Sequence, residues 1–129
     1  MATARRHSFV AVVEDDASMR KAIESLLRSA GFKVASFASA ETFLRSSSAR
    51  KANFLVLDLR LPGLSGLELH ARLRHEGVET PTVLVTGDRD NGELRARALA
   101  AGVLAVLYKP FDADELLRLA QNAFARQSL

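Results

Sequence analysis

The sequence predicts an α/β fold in which a parallel sheet is wound by crossover helices, and three observations carry that expectation. Short apolar runs alternate with longer segments of helical period along the whole chain. The runs are continuous rather than alternating, as in F-V-A-V-V at 9–13, F-L-V-L at 54–57 and T-V-L-V at 82–85, which suits strands covered on both faces. Three helix-start boxes, Ser65 with Glu68, Asp90 with Glu93 and Asp112 with Glu115, each follow an apolar run.

Each element follows in order. Phe9 to Val13 forms the first strand. Met19, Ile23, Leu26, Leu27 and Ala30 recur at spacings of three and four, so an amphipathic helix follows and stops at Gly31. A second strand is expected near 33–37 and a short helix near 39–45. The third strand covers 54–57, and the Ser65 box opens a helix over 65–76. The fourth strand, 82–85, leads to a helix at 90–101, and the fifth, Val103 to Tyr108, to a helix at 112–125. No repeat or linker interrupts this pattern. With 129 residues against roughly 150 per domain, one domain spanning 1–129 is expected, with 1–7 as a disordered tail.

Composition narrows the function. Hydrophobic residues make up 48% and charged residues 26%, enough for one packed core without staples. The absence of cysteine excludes disulfides, a thiolate metal site and a cysteine nucleophile, and agrees with a cytoplasmic location. The uncharged stretch Ala98 to Tyr108 is far short of a membrane span, so no membrane contact is expected. Arg5, Arg6 and His7 stand where a signal peptide would be apolar. The formal charge is only +3 and the arginines are scattered, so this domain is not expected to contact nucleic acid directly.

Ligands of an open parallel sheet bind beyond the carboxyl ends of its strands. The residues there are Glu14, Asp15 and Asp16 after the first run, Asp58 after the third, Thr86 and Gly87 after the fourth, and Lys109 and Pro110 after the fifth. Singly, each has an ordinary role: an Asp can cap the first helix, a lysine can be solvated, and a threonine can satisfy a strand end. Asp58 is harder to explain away, because it follows four apolar residues and a buried carboxylate needs a partner. Converging on one rim, these residues form a hard-oxygen site that favours Mg²⁺ or Mn²⁺ over zinc, with His70 and His75 on a helix away from it. Magnesium usually keeps waters and coordinates a phosphate, for which Lys109 and Thr86 are natural partners. Carboxylates serve as nucleophiles in phosphoryl transfer, which makes Asp58 the candidate nucleophile.

The motifs V-V-E-D-D at 12–16, L-V-L-D-L-R-L-P-G-L-S-G-L-E-L at 55–69, V-T-G at 85–87 and Y-K-P-F at 108–111 resemble a response-regulator receiver domain from about Phe9 to Phe124. The resemblance implies a flavodoxin-like, doubly wound five-stranded sheet with five helices and strand order 2-1-3-4-5. It implies that Asp58 accepts a phosphoryl group from a histidine kinase and that Asp15 ligates Mg²⁺ directly. Glu14 would act mainly through water, the backbone carbonyl of Arg60 would complete the ligands, and Lys109 and Thr86 would engage the phosphoryl oxygens. Asp16 is left as a helix cap, and the Lys109–Pro110 peptide is usually cis in that family.

One position departs from the family. Three residues before the lysine, where an aromatic ring commonly switches inward, this chain has Val106, and the nearby aromatic is Tyr108. The expected function is a phosphoacceptor switch that promotes its own phosphorylation and dephosphorylation and is not a turnover enzyme. It would change its partner or homodimer surface over 90–124. The alternatives are an aspartyl-phosphate phosphohydrolase, which wants a second acid where Arg60 stands, and a degenerate receiver acting as an interaction scaffold. A flavodoxin-like cofactor module would want a phosphate-cradling loop where this chain has three acids. The same motifs look most like receivers that precede a helix-turn-helix DNA-binding output, so the chain is either a stand-alone receiver or the first domain of a longer regulator with that output beyond Leu129.

Overall fold

A computed structural model describes residues 8–87 and 92–127. In chain order these form β1 (Val10–Val13), α1 (Ala17–Ser29), β2 (Val34–Phe37), α2 (Ala40–Arg45), a 3₁₀ turn (Ala49–Lys51), β3 (Phe54–Asp58), α3 (Gly66–His75), β4 (Thr82–Thr86), α4 (Glu93–Ala100), β5 (Ala105–Tyr108) and α5 (Ala113–Gln127). All strand pairs are parallel and the sheet order is β2-β1-β3-β4-β5. The expected tail at 1–7 lies outside the described residues.

The continuous apolar runs are explained by two cores, one on each sheet face. Ala11, Val13, Leu55, Leu57, Leu84 and Val106 face α2, α3 and α4, where Phe43, Leu69, Leu73 and Ala98 meet them. Val10, Val12, Phe54, Val56, Val83, Val85 and Leu107 face α1 and α5, where Ile23, Leu27, Leu116 and Ala120 meet them. Successive residues of one strand thus enter opposite cores, and each fully buried Val, Leu or Phe contributes about 1.5–3 kcal/mol of hydrophobic stabilisation.

Two element starts and two strand ends differ from the sequence expectation. The helix expected from Asp90 begins at Glu93, with Gly92 at φ 89° as its N-cap; the Asp90 half of the expected box lies outside the described residues. The last strand begins at Ala105, because the amides of Gly102 and Val103 still donate to Leu99 and Ala98 of α4. Asp58 and Thr86 are the last rungs of β3 and β4, opposite Val85 and Tyr108, rather than the first loop residues. The Ser65–Glu68 capping box is complete, and Asp112 Oδ1 accepts the Asp114 amide.

Candidate active site

The rim is assembled by loops whose geometry the strands dictate. The Glu14 amide makes a last rung to Phe37 O at 3.0 Å, after which the chain turns into α1. Asp16 caps that helix, its Oδ1 accepting the Met19 amide at 3.0 Å, as expected for a cap rather than a ligand. Beyond β3, Leu59 N donates to Val85 O and Gly66 N to Leu59 O, so the start of α3 folds back onto Asp58. Gly66 is required there: a Cβ would stand 2.4 Å from the Asp58 carbonyl oxygen.

These turns bring carboxylate oxygens of Glu14, Asp15 and Asp58 within 4.8 Å of one another. Glu14 and Asp58 are buried, at 1% and 4% exposure, while Asp15 is open to solvent. Lys109 Nζ donates to Glu14 Oε1 at 2.9 Å and lies 3.6 Å from Asp58 Oδ1. Asp58 Oδ1 also accepts the Arg60 amide at 3.1 Å. Thr86 ends the neighbouring strand, fully buried, and its carbonyl accepts the Lys109 amide at 2.7 Å. The Lys109–Pro110 peptide is cis.

Burial, reinforced by a hydrogen bond and like charge shared with Glu14, pushes the Asp58 carboxyl up to about 7, against the pull of Lys109 and the Arg60 amide. Burial works to lower the Lys109 ammonium, but Glu14 and Asp58 outweigh it and raise it. Three carboxylates are thus gathered around one ammonium. Three hard-oxygen donors with one side open to water fit Mg²⁺. His70, by contrast, is buried on α3 outside the cluster, held low by burial and by Arg74, and His75 is exposed at the helix end.

The structure therefore brings Glu14, Asp15, Asp58 and Lys109 together and sets Thr86 on the adjacent strand end. Two features were not read from the sequence. Glu14 is the principal partner of Lys109, a contact across 95 residues of chain. Arg20 Nη1 donates to the Glu14 carbonyl at 2.9 Å, with only its place one turn into an acid-capped helix as a signal.

The sequence matches the response regulator receiver domain family over residues 10–121. The chain belongs to that family. Nodulation protein W of Bradyrhizobium diazoefficiens is 42% identical over 110 residues, which cover 85% of this chain and 48% of that protein. The transcriptional regulatory protein FixJ of the same bacterium is 36% identical over 121 residues, covering 94% and 58%. The BeF3-activated DrrB receiver domain superposes with a TM-score of 0.77 at 29% identity, covering 90% of this chain and 96% of that one. The chain spans about half the length of these curated relatives. The doubly wound sheet and its strand order are those of a receiver, and no helix among the described residues is long and apolar enough to cross a membrane.

Proposed function

We propose that this receiver is a phosphoacceptor switch in which Asp58 takes a phosphoryl group from a histidine kinase with Mg²⁺ bound by Asp15, Asp58, the Arg60 carbonyl and, through water, Glu14. The observation that carries this reading is Lys109 Nζ poised 3.6 Å from Asp58 Oδ1 beside three clustered carboxylates. An Asp58 oxygen attacks phosphorus, the phosphorus–nitrogen bond of the donor imidazole breaks, and its electron pair leaves with the nitrogen. Bound Mg²⁺ would neutralise charge on the phosphoryl oxygens. Lys109 is already placed to exchange a carboxylate for a phosphoryl oxygen, and the Thr86 hydroxyl would take another.

The arrangement supports a switch that promotes its own phosphorylation and dephosphorylation rather than a turnover enzyme. A hydrolase would want an acid where Arg60 stands, and a degenerate scaffold would have no reason to keep Asp58, Thr86 and Lys109 together. Val106 is buried and has no ring to rotate. Output is therefore assigned to the Thr86 loop and the 90–124 face, through which a homodimer would form while Tyr108 stays in place. Cytoplasmic location and a DNA-binding output beyond Leu129 complete the proposal, the latter in keeping with the name of FixJ as a transcriptional regulatory protein.

Trifluoroberyllate, a phosphoryl mimic, tests the acceptor. With Mg²⁺ it should raise the melting temperature of the wild type beyond Mg²⁺ alone and leave Asp58→Asn unmoved. An equal rise in the variant would exclude Asp58.

A further inference from the structure

We propose that Arg20, which lies outside the carboxylate cluster, is a positioning residue for it: by pinning the Glu14–Asp15 peptide it aims the Asp15 carboxylate at the metal. The inference rests on the reading of the cluster as a Mg²⁺ site.

Asp15 makes no side-chain hydrogen bond or ion pair with any of the described residues. Its direction is therefore set by its backbone, and both peptides that flank it are held. The following peptide is held through its N–H, the Asp16 amide donating to Glu14 Oε2 at 3.1 Å. The preceding peptide is held through its C=O, the Glu14 carbonyl accepting Arg20 Nη1 at 2.9 Å. Glu14 lies past the end of β1 and is buried, so its carbonyl oxygen needs a donor, and a guanidinium provides a charge-assisted one. Arg20 is itself fixed, because its amide closes the first turn of α1 on the Asp16 carbonyl at 2.8 Å and Asp16 caps that turn. The guanidinium thus bridges the rigid first turn of α1 to the peptide that orients the exposed ligand.

Removing Arg20 has two consequences of opposite sign, and this makes the inference testable. Losing a cation beside the cluster would strengthen Mg²⁺ binding, but weakly, since the rim is exposed and screened. Losing the pin would weaken binding, and partners that orient a metal ligand typically account for roughly 10- to 100-fold in affinity.

The experiment measures Mg²⁺ affinity by calorimetric titration for the wild type, Arg20→Ala and Arg20→Lys, well below each metal-free melting temperature. It also follows acetyl phosphate labelling as Mg²⁺ is raised to saturation. Arg20→Ala should bind Mg²⁺ about tenfold more weakly or worse. Arg20→Lys should fall between it and the wild type, and saturating Mg²⁺ should restore the labelling rate of both. Affinity in Arg20→Ala that is unchanged or tighter overturns the inference. So does an unchanged Mg²⁺ affinity with a raised KM for acetyl phosphate, which would make Arg20 a donor contact. A labelling rate that saturating Mg²⁺ leaves low would overturn it as well. A wild type that binds no Mg²⁺ overturns the metal site itself and the inference with it, and is told apart because no variant is needed to see it.

Discussion

The two ends of the sheet are built on opposite terms. At the amino end, Asn53 receives the Phe9 amide at Oδ1, exchanges hydrogen bonds with Gln127 through its side chain and its carbonyl, and so ties β1, β3 and the last turn of α5 together. Donors there meet acceptors, and Arg50 and Glu76 meet as opposite charges. At the carboxyl end, the two buried carboxylates share Lys109, the exposed Asp15 carboxylate crowds beside them, and Asp58 is driven to about 7. One end stabilises the fold. The other stores an electrostatic conflict that a divalent cation or a phosphoryl group with its cation would relieve, which is the trade a functional site makes against stability.

Substitutions should separate the two ends. Gly66→Ala should have the largest effect, because its Cβ would collide with the Asp58 carbonyl oxygen and backbone must move. A loss of ~2–3 kcal/mol in denaturant unfolding is expected, with labelling of Asp58 lost as well. Asp58→Asn should move stability the other way. The folded carboxyl titrates near 7 against about 4 in an unfolded chain, so folding is favoured most below pH ~4 and that contribution is lost as pH rises through 7. The metal-free wild type should therefore lose melting temperature between pH 4 and 8, and Asp58→Asn should be flatter and more stable at pH 8. A variant that falls in parallel with the wild type would place the conflict elsewhere.

Asn53→Ala should cost about 1–2 kcal/mol through lost hydrogen bonds while leaving Mg²⁺ affinity and labelling unchanged; a change in either would join the two ends. The smallest effect is expected from Ser65→Ala, which removes one half of the α3 capping box at a cost of about 1 kcal/mol. It should also let the Glu68 carboxyl, held low by its bonds to the Ser65 backbone and hydroxyl, return upward, which side-chain NMR titration would show.

What was legible in the sequence followed from local rules. The continuous runs announced a doubly covered parallel sheet because each strand feeds both cores, and the acids announced the rim because strand ends are where side chains converge. The contacts at that rim were less legible. Lys109, just past β5, reaches Glu14 beside β1 across two intervening strands, and which carboxylate it prefers depends on sheet twist and side-chain length. Arg20 acts on a carbonyl, and backbone acceptors leave no mark in a sequence. The start of α4 falls later than the Asp90 expected from the sequence, at Glu93, because Gly92 takes the left-handed turn that begins the helix.

On the proposed function, the conflict at the carboxyl end exists to receive a phosphoryl group on Asp58. Intact-mass spectrometry of the wild type and Asp58→Asn, each incubated with acetyl phosphate with and without Mg²⁺, tests it most directly. The wild type should gain the mass of one phosphoryl group only with Mg²⁺ present, and Asp58→Asn should gain none. A variant labelled at the wild-type rate with the same Mg²⁺ dependence would contradict the claim.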